Sequence, residues 1–200
     1  MLKRLLDVSL SALGLIVSAP LWALLAVAIK LEDDGPVFFT QPRVGRGGAP
    51  FNAYKFRSMV PDAASGAPLQ ASERDPRVTR VGALLRATAM DELPQLWNIF
   101  KGDMSFVGPR PLMPGEIELR GDGRHVALAE IPGYHARHAV RPGLTGLTQV
   151  YAPRDLPRAR KFRLDLLYVK RASVALDMRL IALSFWISAR GRWEARGPKV

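Results

Sequence analysis

The hydrophobic pattern divides the chain into one unbroken apolar run and a remainder in which apolar residues recur at helical or strand spacing. Val8 to Ile29 carries no charge, with Lys3, Arg4 and Asp7 before it and Lys30 after it. About twenty apolar residues are enough to cross a bilayer as a helix. A secretory signal shares the basic start and the small residues Ala26-Val27-Ala28, but its apolar core is only about 7–15 residues long, so the length of this run argues against one. Pro20 falls inside the run, where proline removes a backbone hydrogen bond and kinks or breaks a helix. Basic residues flank both ends, so the positive-inside rule gives a straight span no clear orientation. A helix that bends at Pro20 and returns keeps both ends on the cytoplasmic face. The pattern therefore predicts a re-entrant membrane helix over residues 1–31, broken at Pro20, with a single kinked span as the alternative.

Residues 32–200 are expected to form one cytoplasmic domain. After the acidic turn Glu32-Asp33-Asp34-Gly35-Pro36, Val37 to Gln41 and Phe51 to Phe56 read as strands of a hairpin, with Pro42 to Pro50 as its loop. Pro61 to Pro76 is small, polar and aperiodic, which predicts a surface loop or lid. Val81, Leu84 and Leu85 mark a helix ending near Met90. Leu93, Leu96, Trp97 and Phe100 mark a second from Glu92 to Lys101, with Asp91 at its N-cap and Pro94 in its first turn. Residues 103 to 115 and Arg141 to Gly146 read as turn-rich loops. Arg158 to Lys170 predicts a further helix, and Ala172 to Ala189 a last one, suited by its flanking arginines either to the membrane interface or to packing on the core. The expected fold is mixed α/β and mainly helical, with a small β-hairpin and no large sheet.

Composition narrows the partners. Twenty-nine Lys plus Arg against eighteen Asp plus Glu give a net charge of +11, which calls for an anionic partner: nucleic acid, anionic lipid or a phosphorylated small molecule. The absence of cysteine excludes a disulfide framework, a thiolate metal site and a thiol nucleophile. Asp91-Glu92 lies beside a helix start, where an ionised carboxylate could attack phosphorus or hold a metal, although an Asp N-cap followed by Glu is also ordinary helix chemistry. Lys55, Arg57, Arg80, Arg86, Arg110 and Arg141 lie at turns and element ends from which they could converge on phosphate. Asp165, among Leu164, Leu166 and Leu167, is either the buried partner of an arginine or a site residue. His135 and His138 have one-turn spacing, but Gly133 and the nearby prolines argue against a helix there, and no third ligand is evident for zinc. A basic nucleic-acid-binding protein is disfavoured, because no helix carries a concentrated basic stripe.

Several of these segments resemble, in order along nearly the whole chain, the bacterial sugar transferase family of monotopic polyprenyl-phosphate phosphoglycosyl transferases. They are Lys3 to Asp7, Gly35 to Gln41, Tyr54-Lys55-Phe56-Arg57-Ser58-Met59, Arg86 through Asp91-Glu92-Leu93-Pro94-Gln95-Leu96-Trp97-Asn98, Lys101 to Pro111, Arg141 to Gly146 and Phe162 to Val169. The resemblance is to the minimal form, a re-entrant helix plus a catalytic domain. It implies that Asp91 attacks the sugar-bearing phosphate of a nucleoside diphosphate sugar, usually a UDP-sugar, and releases UMP. The phosphosugar would then pass from Asp91 to polyprenyl phosphate (undecaprenyl phosphate). Glu92, with Asp91, would associate with Mg²⁺, and Lys55, Arg86, Arg110 and Arg141 would contact phosphate or nucleotide. Asp165, grouped with these substrate-binding candidates, matches a family acid whose role is left open. The implied location is the bacterial inner membrane with the catalytic domain in the cytoplasm, and a homodimer is a further expectation. Where the family breaks its membrane helix at a Ser-Pro pair, this chain has Ser18-Ala19-Pro20, so the break would rely on a shifted serine. The segment Ala152 to Pro157 is also less typical and lies where sugar choice would be set. A noncatalytic membrane scaffold is the remaining alternative, disfavoured by the intact Asp91-Glu92 pair.

Overall fold

A computed structural model describes residues 1–61, 75–119, 123–153 and 156–193. Helix α1 (Leu2–Glu32) runs uninterrupted through Pro20. Its inward positions are Asp7, Ser11, Gly14, Ser18, Leu21 or Trp22, Leu25 and Ile29, a stripe at three- and four-residue steps that keeps its phase on both sides of the proline. Leu15 packs on the cluster of Leu96, Ile99 and Met104, while Leu21, Trp22, Leu25 and Ile29 pack with Phe56 and Leu85. Contacts on both flanks of Pro20 thus hold the helix together at the loss of one backbone bond, and the expected break is not seen. Ser18 Oγ donates to Gly14 O at 2.6 Å, not to the Ile16 carbonyl that Pro20 leaves without its donor.

The outer face of α1 is the apolar one: Leu5, Leu13, Ile16, Val17, Leu24, Val27 and Leu31 are exposed. Only 6% of its most apolar window is buried, so α1 is not the core helix of a soluble fold. By length and hydropathy it is able to cross a membrane. Charged groups along its inner face are paired with the body. Lys3 Nζ donates to Asp177 Oδ2 at 2.6 Å and to Val107 O at 3.1 Å, and Asp7 accepts from Ser105 Oγ and Phe106 N, both at 3.0 Å. At the other end the Glu32 carboxylate accepts from the backbone N–H groups of Arg80 and Val81.

The hairpin of β1 (Phe38–Val44) and β2 (Pro50–Phe56) is antiparallel, with Phe39 opposite Lys55, Gln41 opposite Ala53 and Arg43 opposite Phe51. It is longer than expected because Pro42 lies within β1, tolerated in a two-stranded ribbon in which every strand is an edge. The expected loop at residues 61–76 falls largely outside the described residues. Helix α2 (Arg80–Thr88) is N-capped by Thr79, whose hydroxyl accepts from Gly82 N at 2.9 Å. Helix α3 (Gln95–Lys101) begins later than its apolar spacing suggests. Met90–Glu92 forms a separate 3-10 turn, so Asp91 is not an N-cap of α3.

Two segments read as loops pair with each other: β3 (Ser105–Val107) lies parallel to β6 (Gly143–Thr145). Glycine makes that approach feasible, since a Cβ at Gly143 would sit 2.0 Å from Gly108 N, and one at Gly108 2.4 Å from Arg141 O. Between them, β4 (Ile117–Leu119) and β5 (His125–Ala127) form a short hairpin that the sequence did not suggest. Helix α4 (Tyr134–Arg137) is a single turn where glycine and prolines argued against helix. Gly133, at φ 96°, supplies the left-handed entry. Helices α5 (Leu147–Tyr151), α6 (Arg158–Arg171) and α7 (Val174–Ala189) complete the body, with α7 capped by Ser173. Val107, Val150, Tyr168, Leu180 and Ile187 form one core cluster beneath β3 and β6.

Candidate active site

The site gathers where β2, the turn after α2 and the segment after β3 meet. Helix α2 ends at Ala89 in the left-handed conformation (φ 58°), and the chain then turns through Met90–Glu92 so that both carboxylates point at β2. There Lys55 Nζ lies 2.6 Å from Glu92 Oε1 and 3.7 Å from Asp91 Oδ2, and Arg110 Nη2 lies 3.5 Å from Glu92 Oε1. Lys55, Glu92 and Arg110 border a small cleft that Arg43, Ala53, Gln95, Pro111 and Gly143 also line.

The two acids differ although they are adjacent. Burial pushes Asp91 up to about 6, with the Lys55 charge pulling the other way and the Glu92 charge adding to the rise. Burial acts on Glu92 in the same direction, but the Lys55 and Arg110 charges and the Lys55 hydrogen bond outweigh it, so Glu92 is lowered to about 2. Among the described residues nothing hydrogen-bonds to the Asp91 carboxylate, which is 8% exposed. A carboxylate whose lone pairs no donor holds is in the state in which it can act as a nucleophile.

Arg86, in the last turn of α2, is near enough for its charge to favour the ionised form of Asp91. Arg141 lies outside the cleft lining. Its Nε donates to Gly102 O at 2.7 Å, while Arg4 donates to Ile99 O and Phe100 O at 2.6 and 2.7 Å, so two arginines satisfy the C-terminal carbonyls of α3. Arg57 is buried against Asp33 and the carbonyl of Pro36, holding the turn that follows α1.

Asp165 is also away from the cleft, 3% exposed. It accepts from Arg137 Nε at 2.8 Å and from Thr148 Oγ1 at 2.6 Å, which selects the buried-partner alternative. Arg137 in turn donates through Nη2 to Arg110 O at 2.6 Å and stacks 5.0 Å from the Phe162 ring centroid. The pair therefore braces the backbone from which Arg110 reaches the site. His138 is buried beside Arg137, and burial together with the Arg137 and His135 charges lowers it to about 4.

Sequence reasoning missed Arg43, Gln95 and Asn98. Asn98, fully buried in α3, accepts from Tyr54 N and donates to Asn52 O, binding α3 to the strand that carries Lys55. The signal for Arg43 was in the alternation of β1. Once Arg43 is opposite Phe51, period two puts Arg43, Gln41, Ala53 and Lys55 on one face.

The fold thus sets a cation-lined cleft on a body that carries one long helix with an exposed apolar face. The chain belongs to the bacterial sugar transferase family, whose sequence profile matches residues 1–191. It is 45% identical over 190 residues to an undecaprenyl-phosphate glucose phosphotransferase of Komagataeibacter xylinus, covering 91% of this chain and 35% of that protein. It is 44% identical over 188 residues to the exopolysaccharide production protein PSS of Rhizobium leguminosarum bv. phaseoli, covering 90% of this chain and 91% of that one. A UDP-glucose:undecaprenyl-phosphate glucose-1-phosphate transferase of Escherichia coli K12 is 40% identical over 189 residues, with 92% of this chain and 39% of that protein aligned. The chain thus spans little more than a third of the length of several curated relatives that it matches.

Proposed function

We propose that the protein transfers a sugar 1-phosphate from a UDP-sugar to polyprenyl phosphate at the cytoplasmic face of the inner membrane, the first membrane-bound step of a glycan assembly. The carrying observation is Asp91, buried, with no hydrogen-bond donor among the described residues and 3.7 Å from Lys55, and next in sequence to Glu92, which lines a cleft together with Arg43, Lys55 and Arg110. In this reading an Asp91 oxygen attacks the sugar-bearing phosphorus. The bond from that phosphorus to the bridging oxygen breaks, and the electron pair leaves with UMP. A polyprenyl phosphate oxygen then attacks the same phosphorus, the aspartyl–phosphorus bond breaks, and the Asp91 carboxylate is regenerated. Lys55 and Arg110 offset charge on the phosphoryl oxygens. The relatives' names support the donor and acceptor classes.

Among the described residues there is no cluster of three acids or histidines. Mg²⁺ usually takes one or two carboxylates together with substrate phosphates, so the hard oxygens of Glu92 and Asp91, converging beside Lys55, fit a Mg²⁺ shared with a diphosphate. When bound, the ion would neutralise phosphate charge. Membrane attachment is read from α1. At 1.5 Å per residue its 31 residues extend about 46 Å, yet Lys3 at one end and Glu32 at the other are both bonded to the same body. That supports both ends lying on one side of the bilayer, with the apolar outer face in the lipid.

Purified protein with Mg²⁺ and a panel of UDP-sugars tests the reading. Wild type should release UMP with at least one donor and, without acceptor, gain the mass of a phosphosugar on the peptide containing Asp91, whereas Asp91→Asn should do neither. UMP release that survives this substitution would remove Asp91 from the covalent role.

A further inference from the structure

Arg43 is the cleft cation that no reading so far employs. It sits near the end of β1, on the hairpin face that also carries Gln41, Ala53 and Lys55. Its Nη1 donates to Pro111 O at 3.1 Å and its Nη2 to Gln41 Oε1, so both hydrogen-bond partners are neutral. Among the described residues it forms no salt bridge with any carboxylate. Arg110, the neighbour that borders the same cleft, carries the same charge. Burial, and after it the Arg110 charge, lower Arg43 to about 10, which the charges of Glu92 and Glu116 offset only in part.

A largely desolvated guanidinium held beside a second guanidinium by neutral acceptors is unfavourable unless an anion joins them. Three cations, Arg43, Lys55 and Arg110, face two carboxylates here, and Lys55 is already committed to both acids. Arg43 has no carboxylate partner among the described residues and Arg110 only a 3.5 Å contact with Glu92, so both can turn to a second anionic group. A diphosphate donor has two phosphates: one is attacked at Asp91, and the other gains charge as its bridging bond breaks. A planar guanidinium suits the second, because its fork can donate two hydrogen bonds to one phosphate.

We propose that Arg43, together with Arg110, binds the phosphate of the departing nucleoside monophosphate. This rests on the UDP-sugar reading above and assigns a residue and a subsite within it. The acceptor's phosphate has the same chemistry, so the test separates the two sources. Full-length wild type, Arg43→Gln and Arg43→Lys would be compared in three measurements: equilibrium binding of UMP without acceptor, donor KM for UMP release, and KM for undecaprenyl phosphate in the complete reaction.

The expected result for Arg43→Gln is UMP affinity and donor KM each weakened about tenfold or more, the size of one charge-assisted hydrogen bond. Acceptor KM should stay within about twofold, and Arg43→Lys should recover part of the loss because it keeps the charge but not the fork. Unchanged UMP affinity, or a loss confined to the acceptor KM, would overturn the assignment. Should Arg43→Gln melt well below wild type, the folded Arg43→Lys protein decides, and UMP binding equal to wild type there overturns it too. Failure of the wider reading looks different, since wild type would then release no UMP from any donor.

Discussion

Asp91 and Asp165 are both buried beside basic partners, and their surroundings differ. Burial raises both Asp91 and Asp165. Asp165 has the Arg137 guanidinium at 2.8 Å and the Thr148 hydroxyl at 2.6 Å, so each of its oxygens is bonded. Among the described residues Asp91 has no donor, and the ammonium 3.7 Å away bonds its neighbour Glu92 instead. The satisfied carboxylate is a brace, and the other is the one we propose as nucleophile. The difference lies in the partners, not in depth, and an unmade hydrogen bond under burial marks where folding free energy has been forgone for chemistry.

The largest effect should come from the unsatisfied acid. Asp91→Asn is expected to reduce turnover by at least about 10³-fold, the scale of losing a nucleophile. It should also make the protein more stable near neutral pH. The folded value of Asp91 is about 6, above the 3.8 of an unperturbed aspartate, so its ionisation destabilises the fold as pH rises through 6. The neutral substitute avoids that penalty, roughly 3 kcal/mol, fully present above pH 6 and absent below about 4. Melting curves of both proteins across that range measure it, and parallel curves would show that Asp91 carries no burial penalty.

Asp165→Asn should do the reverse, costing stability first and activity second. Leaving Arg137 buried without its charge partner is expected to cost about 3–5 kcal/mol, read by denaturant unfolding. Its effect on turnover should pass through Arg110, whose carbonyl Arg137 holds. In a double-mutant cycle, Asp165→Asn should therefore lose most of its effect on kcat/KM once Arg110→Ala is present, with coupling of about 1 kcal/mol. Full additivity would mean that Asp165 acts on the fold alone.

A smaller effect is the pH dependence of kcat/KM, which reports groups of the free enzyme. The reactive form of Asp91 is ionised, so the rate should fall as pH drops through about 6, while Glu92, lowered to about 2, stays ionised throughout. Lys55→Met removes the charge that most favours ionised Asp91 and should move that limb to higher pH. A limb that stays in place or moves down would break the assignment.

How far the sequence showed all this follows the range of the interactions. Helices α2, α6 and α7 and the first hairpin were legible from periodicity, because their apolar stripes are local. Asp91, Glu92, Lys55 and Arg110 were named from the resemblance and from their places at element ends, and the fold brings these four together. The pairing of β3 with β6 was not legible, since it joins strands 38 residues apart through glycines that read as turns. The partner of Asp165 was hidden for the same reason, as Arg137 lies 28 residues away on a helical turn that glycine and prolines appeared to forbid. Pro20 misled in the opposite sense. Its local rule called for a break, but packing on both flanks kept the helix whole.

The subtlest contrast is in the backbone leading to each acid's neighbourhood. The residue before the Asp91 turn is Ala89 at φ 58°, a left-handed conformation that costs an L-residue with a Cβ about 1 kcal/mol. The equivalent entry to the Arg137 turn is Gly133 at φ 96°, where glycine bears no such cost. Exchanging the two choices should have opposite outcomes. Ala89→Gly relieves the strain but gives the unfolded chain more freedom, so stability should change by less than about 1 kcal/mol. Relaxing the turn that aims Asp91 should still lower kcat more than it alters donor KM. Gly133→Ala should destabilise by more than about 1 kcal/mol, since the new Cβ would meet Leu166 Cδ1 at 3.0 Å as well as the unfavourable φ. Equal melting shifts from the two substitutions would show that the strain at Ala89 is no different in kind from an ordinary helix end.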